Sequence, residues 1–194
     1  MEVIEIPKRL AWFFIGFATL LMLFGFGAYA ETQDELVVYF LDVGQGDAAL
    51  VQCGGQSLLI DGGDRNANQF IYSFLQNTLQ IDYLDYVIAT HPHDDHTKGL
   101  AAALSACNVG VAYAPVSSYD SDGFNDFLKK LGEQDKEITI PQRGDTFSLG
   151  AATVTFLSNP NLDWDVNDWS LVVKITLGVN YYPENGHGFW LGNS

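Results

Sequence analysis

Short apolar runs separated by glycine-containing turns make up the chain between residues 36 and 61. The segments Leu36–Asp42, Asp47–Gln52 and Ser57–Asp61 have the length and apolar character of β-strands. Gly44-Gln-Gly46 and Gly54-Gly55 lie between them and are typical of turns. Because these connections are short, the sequence predicts an antiparallel meander at the start of a sheet.

Later segments alternate between the patterns of helices and strands. Apolar residues at helical spacing predict a helix over Asn66–Gln80 and another that begins near Asp122 and ends at Gly132. The alanine- and leucine-rich segment Gly99–Cys107 predicts a further helix, capped by Thr97. Apolar runs predict the remaining strands, which are Tyr86–Thr90, Val109–Pro115, Thr146–Ser148, Ala151–Leu157 and Trp169–Leu177. This order of elements predicts an α/β fold.

Residues that bind metals are concentrated directly after the predicted strand Tyr86–Thr90. The segment His91-Pro-His-Asp-Asp-His96 has the pattern H-x-H-x-D-H and holds three of the four histidines of the chain. Pro92 disfavours helical backbone at His91, so an extended chain would point His91, His93 and Asp95 to one side. Imidazole and carboxylate ligands suit zinc, iron or manganese. The alternative interpretation is a polar loop with histidines at the start of a helix.

This motif, with Asp42-Val-Gly-Gln-Gly-Asp47 and Leu59-Ile-Asp-Gly-Gly63 upstream, resembles the motifs of the metallo-β-lactamase fold superfamily. Within it, the chain looks most like the hydrolase domain of the DNA-uptake competence protein ComEC and its free-standing secreted relatives. The resemblance covers about Leu36 to Gly178. It implies a metallo-β-lactamase-like αββα sandwich and hydrolysis of a phosphodiester, ester, lactone or amide bond by a metal-bound hydroxide.

The four motif side chains are the predicted ligands of up to two zinc ions, with manganese or iron as alternatives. We expect His91 and His93 to face one metal position, and Asp95 and His96 an adjacent one. Asp95 is also the predicted catalytic residue.

Three polar residues outside the motif have two interpretations each. The resemblance implies that Asp61 orients a metal ligand, whereas an Asx-turn at the Gly62-Gly63 bend would be structural. Asp47 has the same two interpretations, and a structural role at the rim of the pocket is favoured. Asn167 takes the region where other branches of the superfamily place a third histidine. It would bind metal weakly or hydrogen-bond a metal-bound water, or else it belongs to an ordinary turn.

Two basic residues lie within four positions of these motifs. Arg65 follows the Gly62-Gly63 bend, and Lys98 follows the H-x-H-x-D-H motif. Either residue could bind an anionic group of a substrate, because both carry charged hydrogen-bond donors. The alternative is that both are ordinary solvated charges.

Residues 1–30 form a segment separate from the predicted hydrolase domain, residues 31–178. Lys8 and Arg9 precede an apolar run, and Ala28-Tyr-Ala30 fits a small-x-small cleavage site, which indicates a signal peptide. The alternative is an uncleaved membrane anchor over residues 10–27. Both interpretations predict that the folded part lies outside the cytoplasm, and the first predicts secretion.

The composition restricts the partners of the domain. The formal net charge is −15, which disfavours binding to nucleic acid and to anionic membranes unless metal ions reverse the sign locally. A small-molecule or phosphodiester substrate is therefore expected, and membrane contact only through an uncleaved anchor. Cys53 and Cys107 do not form a disulfide framework, and either one bridge or two buried thiols is consistent with the sequence.

The family pattern stops at Gly178. Residues 179–194 form an atypical tail in which no Gly-Asp pair follows Leu177, so the predicted sandwich is C-terminally incomplete, with no sequence for its closing strands. In the resembling families this aspartate bridges two metals. The alternative to an active hydrolase is therefore a catalytically inactive or truncated metal-binding or interaction domain of the same fold.

Overall fold

The computed structural model describes residues 35–158, 163, 165–178 and 187–191. The strands are Leu36–Phe40 (β1), Ala49–Cys53 (β2), Gln56–Ile60 (β3), Tyr83–Ile88 (β4), Asn108–Tyr113 (β5), Ile138–Thr139 (β6), Thr146–Leu149 (β7), Ala152–Phe156 (β8), Val173–Leu177 (β9) and His187–Leu191 (β10). The helices are Asn68–Ser73 (α1), Asp94–Ala106 (α2) and Asp122–Gly132 (α3). Shorter helical turns are Arg65–Ala67, Phe74–Thr78 and Val166–Trp169.

The strands form two sheets. A six-stranded sheet has the order β1-β2-β3-β4-β5-β6, and its first three strands are the predicted antiparallel meander. β3, β4, β5 and β6 pair in parallel, so the ends of β3 and β4 that precede the site residues meet at one edge of the sheet. A four-stranded antiparallel sheet has the order β10-β9-β8-β7.

Two separate hydrophobic cores cover the two faces of the six-stranded sheet. One core joins this sheet to the three helices through buried residues that include Leu59, Leu100 and Phe127. The other joins it to the four-stranded sheet through residues that include Leu58 and Phe156. Burial on both faces explains why β2 and β3 are buried at almost every position and contain consecutive apolar residues. The described residues thus form three of the four layers of the predicted αββα sandwich.

The structure corrects two of the predicted helices. α2 begins at Asp94 and not at Gly99, with His93 as its N-cap, and Thr97 lies inside the helix. Asp94 and Asp95 in the first turn favour this earlier start, because negative charge is stabilised at a helix N-terminus. The predicted helix over Asn66–Gln80 is divided into the turn Arg65–Ala67, α1 and a π-helical turn.

The structure also corrects the prediction for the C-terminal tail. We expected no further strand after Gly178, yet β10 pairs antiparallel with β9 from His187 opposite Leu177 to Leu191 opposite Val173. The physical reason is that β9 would otherwise leave a row of unpaired backbone donors and acceptors at the sheet edge.

The N-terminal prediction falls on residues 1–30, including the apolar run at 10–27, and these lie outside the described residues. Within the described ranges, no helix combines the length and the apolar character needed to cross a membrane.

Candidate metal centre

Three motif residues come together where the chain passes from β4 into α2. His91 and His96 are 2 % and 5 % exposed. One ligand atom from each of His91, Asp95 and His96 lies within 4.8 Å of the others, and we call these residues the three-ligand cluster. Within it, His96 Nε2 is 4.0 Å from Asp95 Oδ1. The Asp95 side chain is 31 % exposed, so this cluster is open to solvent on the side of Asp95.

The three-ligand cluster contains His91 from the predicted pair His91 and His93, together with both members of the predicted pair Asp95 and His96, so the pairing itself stays a prediction. The strand ends at Ile88 and α2 begins at Asp94, so Asp95 and His96 project from the first turn of a helix and not from an extended chain. The helical first turn therefore places Asp95 and His96 close to His91. His93 lies beside the three-ligand cluster, with its ring centre 5.0 Å from that of His91.

Asp61 and Thr90 determine which ring nitrogens face the three-ligand cluster. The Thr90 hydroxyl donates to Asp61 Oδ2 at 2.6 Å, so its oxygen is left to accept from His91 Nδ1 at 3.2 Å. His96 Nδ1 lies 2.9 Å from the same Asp61 Oδ2, to which it donates. Both histidines therefore carry their proton on Nδ1, which leaves each Nε2 lone pair for a metal.

The surroundings perturb the two buried imidazoles in opposite directions. Burial, and secondarily the neighbouring His96, lower the pKa of His91 to about 4, which favours the neutral ligand form. Burial also opposes the charged form of His96. The hydrogen bond to Asp61 and the nearby carboxylates outweigh that effect and raise the pKa of His96. The stronger basicity of His96 suits a ligand that binds a cation.

Two glycine-containing loops hold the three-ligand cluster against the sheet. Gly62 N–H donates to the His96 carbonyl at 2.8 Å, and Gly99 N–H to the Gly63 carbonyl at 3.2 Å. A Cβ at Gly99 would lie 1.8 Å from the Gly62 carbonyl oxygen, so only glycine allows this approach. On the other side, Gly46 has a φ of +89° and packs directly against the Asp95 backbone.

A cleft of ≈ 550 Å³ opens beside the three-ligand cluster. Its lining includes Gln45, Arg65, His93, Asp95, Lys98 and Tyr119. Gln45, Thr90 and Tyr119 are site residues that were not predicted from the sequence. The Gly44-Gln-Gly46 turn was a signal for Gln45, which donates to Asp95 Oδ2 at 3.4 Å. Tyr119 had no comparable signal, because its position beside the His93 ring, at 6.2 Å, arises from the packing of a distant loop.

The remaining predicted site residues have structural contacts. The backbone carbonyl of the exposed Asp47 accepts a hydrogen bond from Gly63 N–H at 3.0 Å. This bond holds the Gly62-Gly63 bend in place. Asn167 lies in the turn Val166–Trp169, where its backbone and side-chain amides donate to Asp165 Oδ1 at 3.1 and 3.0 Å. These contacts favour the turn interpretation of Asn167. Lys98 Nζ is 2.6 Å from Asp94 Oδ2, so Lys98 is paired within its own helix.

The donor set fits a divalent metal. Two neutral imidazoles and one carboxylate suit zinc, iron or manganese, and three protein ligands with open space beside them are typical of catalytic zinc sites. Asp61 provides the buried carboxylate that metal-binding histidines normally require behind them.

The fold and the three-ligand cluster place the chain among metal-binding hydrolase folds built on two stacked sheets. The family model described as the metallo-beta-lactamase superfamily matches residues 41–173, and the chain belongs to this superfamily.

The chain is also similar to curated proteins over part of its length. The chain is 32% identical over 113 residues to the "Putative diflavin flavoprotein A 2" of Synechocystis sp., which is 57% of this chain and 18% of that protein. It is 31% identical over 71 residues to Ribonuclease Z of Trichodesmium erythraeum, which is 37% of this chain and 21% of that protein. The chain thus spans about a fifth of the length of these relatives.

Among solved structures, the subclass B3 metallo-beta-lactamase MEM-A1 from a soil metagenome library is 18% identical, with a TM-score of 0.56, over 79% of this chain and 58% of that one. Rm3 metallo-beta-lactamase is 17% identical, with a TM-score of 0.57, over 81% of this chain and 59% of that one. At this identity the likeness shows the shared fold alone.

Proposed function

We propose that this chain is an extracytoplasmic, ComEC-like metal-dependent hydrolase that cleaves phosphodiester or ester bonds in a small substrate. The observation that carries this proposal is the three-ligand cluster, in which Asp61 and Thr90 set both histidine tautomers for metal binding. The ComEC-like motifs and the apolar segment near the N-terminus support the finer assignment.

His91, Asp95 and His96 would hold the metal, with His93 beside them. A bound divalent ion supplies an acidified water and polarises the bond to be cleaved. Asp95 is the one member of the three-ligand cluster whose side chain also lines the cleft. We assign it the role of orienting the attacking water by accepting its hydrogen bond, while Gln45 Nε2 keeps the carboxylate in place.

The cleft also restricts the size and charge of the substrate. A volume of ≈ 550 Å³ is in the range of sites for small molecules. The carboxylates of Asp64, Asp94, Asp95 and Asp120 line the same cleft, and the net charge of −15 adds to their repulsion of a long polyanion. A small substrate is therefore favoured over long nucleic acid.

The test of this proposal is the substitution Asp95→Asn with Asp126→Asn as its matched control. Asp126 lies on the exposed side of α3, so the same chemical change there leaves the site intact. We expect Asp95→Asn to weaken zinc binding by about 100-fold or more, since even the loss of an outer partner costs 10–100-fold. Hydrolysis of a panel of phosphodiesters, esters and lactones should be lost in parallel.

Metal analysis after dialysis, and the shift in melting temperature with added zinc, would measure binding independently of activity. Zinc binding without turnover in the unmodified protein would support the alternative, a catalytically inactive or truncated metal-binding domain. Equal zinc affinity in the two variants would contradict the assignment of Asp95 as a ligand. Secreted protein that begins at Glu31 would support the extracytoplasmic part of the proposal, and intact residues 1–30 in a membrane fraction would support the anchor.

A further inference from the structure

Two basic side chains line the cleft, and their surroundings differ. Lys98 is 15 % exposed, and its ammonium group is paired with Asp94 at 2.6 Å. Asp94 also accepts from Gly123 N–H at 2.7 Å, which holds the pair in place. The positive charge of Lys98 is therefore already neutralised.

Arg65 is exposed, and within the described part of the chain its guanidinium group forms no ion pair. The two carboxylate oxygens of the adjacent Asp64 instead accept hydrogen bonds from the backbone and side-chain amides of Asn66, at 2.7 and 2.9 Å. Arg65 is therefore the cation of this cleft that remains available to an anion.

The backbone that carries Arg65 is held in place relative to the metal ligands. Arg65 begins a short helical turn directly after the Gly62-Gly63 bend. Gly62 N–H donates to the His96 carbonyl at 2.8 Å, and Gly63 N–H to the Asp47 carbonyl at 3.0 Å. The chain therefore has little freedom to move Arg65 away from the three-ligand cluster.

We propose that Arg65 binds the phosphoryl oxygens of the substrate, and that the cleft takes small phosphodiesters in preference to neutral esters or phosphomonoesters. This inference rests on the proposed function and deepens it. Guanidinium is planar and matches two oxygens of a phosphoryl group at once.

The carboxylates that line the cleft explain the preference for phosphodiesters over phosphomonoesters. A phosphodiester carries one negative charge, which Arg65 would contact while the two ester substituents, which carry no charge, face the rest of the cleft. A monoester carries nearly two charges at neutral pH, and the second would face the carboxylates of Asp64 and Asp120, which line the same cleft. Tyr119 offers an aromatic surface in the cleft beside the His93 ring for an aryl or base substituent of the diester.

The test compares Arg65→Gln with Lys129→Gln in the zinc-loaded full chain. Lys129 is an exposed base on α3 that does not line this cleft, so it controls for the change in net charge. The substrates are bis(para-nitrophenyl) phosphate, a singly charged diester, and para-nitrophenyl acetate, a neutral ester. Calorimetric binding of diphenyl phosphate provides a readout that requires no turnover.

We expect Arg65→Gln to weaken diphenyl phosphate binding and to raise the KM for the phosphodiester by about tenfold, the usual effect of losing a charged hydrogen bond. The KM for the neutral ester should stay unchanged, Arg65→Lys should be intermediate, and Lys129→Gln should behave as the unmodified protein. An equal effect of Arg65→Gln on both substrates, or no binding of diphenyl phosphate, would overturn the inference. Arg65-dependent binding without turnover would support Arg65 as the phosphoryl contact and contradict the proposed hydrolase function instead.

Discussion

Asp61 is the residue on which the orientation of the three-ligand cluster depends. It is 1 % exposed, and its carboxylate accepts from Thr90 N–H at 2.7 Å, from the Thr90 hydroxyl at 2.6 Å and from His96 Nδ1 at 2.9 Å. Its φ of 54° lies in the left-handed region, which aspartate and asparagine tolerate better than most residues. One carboxylate thus connects the end of β4 to the first turn of α2.

Asp61→Asn should therefore lower both the free energy of unfolding and the affinity for zinc, while the backbone conformation stays the same. The new amide N–H group would face an N–H or O–H group whose hydrogen bond the carboxylate had accepted. Leaving these donors unsatisfied costs about 1–3 kcal/mol of unfolding free energy. Zinc affinity should fall by about 10–100-fold. Urea unfolding of the metal-free protein and calorimetric zinc titration measure the two effects separately.

The matched control is Asp85→Asn. Asp85 also accepts two hydrogen bonds, from Ser57 N–H at 2.8 Å and Gln56 Nε2 at 3.2 Å, but on the strands β3 and β4 and away from the ligands. It should lose stability and keep its zinc affinity. A loss of zinc affinity as large as that of Asp61→Asn would show that general destabilisation explains both variants.

At the scale of elements, the site depends on how closely α2 approaches the loop after β3. The two backbones meet at Gly62 and Gly99, where a Cβ on Gly62 would lie 2.5 Å from the Gly99 carbonyl carbon. This approach allows Gly62 N–H to donate to the His96 carbonyl. The start of α2, and with it Asp95 and His96, is thereby fixed against the sheet.

Gly99→Ala should force α2 away from this loop. We expect a loss of about 1–3 kcal/mol of unfolding free energy, as for other overpacked sites, together with weaker zinc binding. Gly132→Ala is the control, because a Cβ there meets nothing within 4 Å and Gly132 ends helix α3. That variant should be neutral or slightly more stable. If melting curves show the two variants to be equally stable, the close approach of α2 is not required.

Across all the described residues, the six-stranded sheet separates two hydrophobic cores. One core lies between this sheet and the helices, and the other lies between the two sheets. Cys53 packs in the core between the sheets, and Cys107 packs in the core beneath the helices. Both are free and buried, which decides between the two alternatives that the sequence left open. The Cys107 thiol donates to the Ile81 carbonyl at 3.1 Å, and burial raises its pKa to about 11.

The thiols should therefore be almost unreactive in the folded protein. The raised pKa leaves only a small fraction of Cys107 as thiolate at pH 8, and the thiolate is the reactive form. Iodoacetamide should label both cysteines rapidly in urea and very slowly without it, as mass spectrometry would show. A native protein whose mass is lower by two hydrogens would contain a disulfide between the two cysteines, and this would contradict the separation of the two cores.

Local sequence determined most of the helices and strands and the chemical nature of the site. Apolar runs between glycine turns predicted the meander, and apolar spacing predicted α3 from Asp122 to Gly132, because these signals depend on neighbouring residues alone. The H-x-H-x-D-H motif indicated a metal for the same reason, since all its ligands lie within six residues. The superfamily assignment followed from motifs of this local kind and is confirmed by the family match.

Tertiary structure alone decided how these residues are combined. Thr90 and His96 reach Asp61 across 29 and 35 positions of sequence, and no local pattern encodes such contacts. The grouping of His91 with Asp95 and His96 depends on where α2 starts. The small difference in free energy between a helix and an extended chain at the motif decides that starting point. The pairing of β10 with β9, and the lack of an ion pair at Arg65 within the described residues, depend likewise on neighbours that only the folded chain brings together.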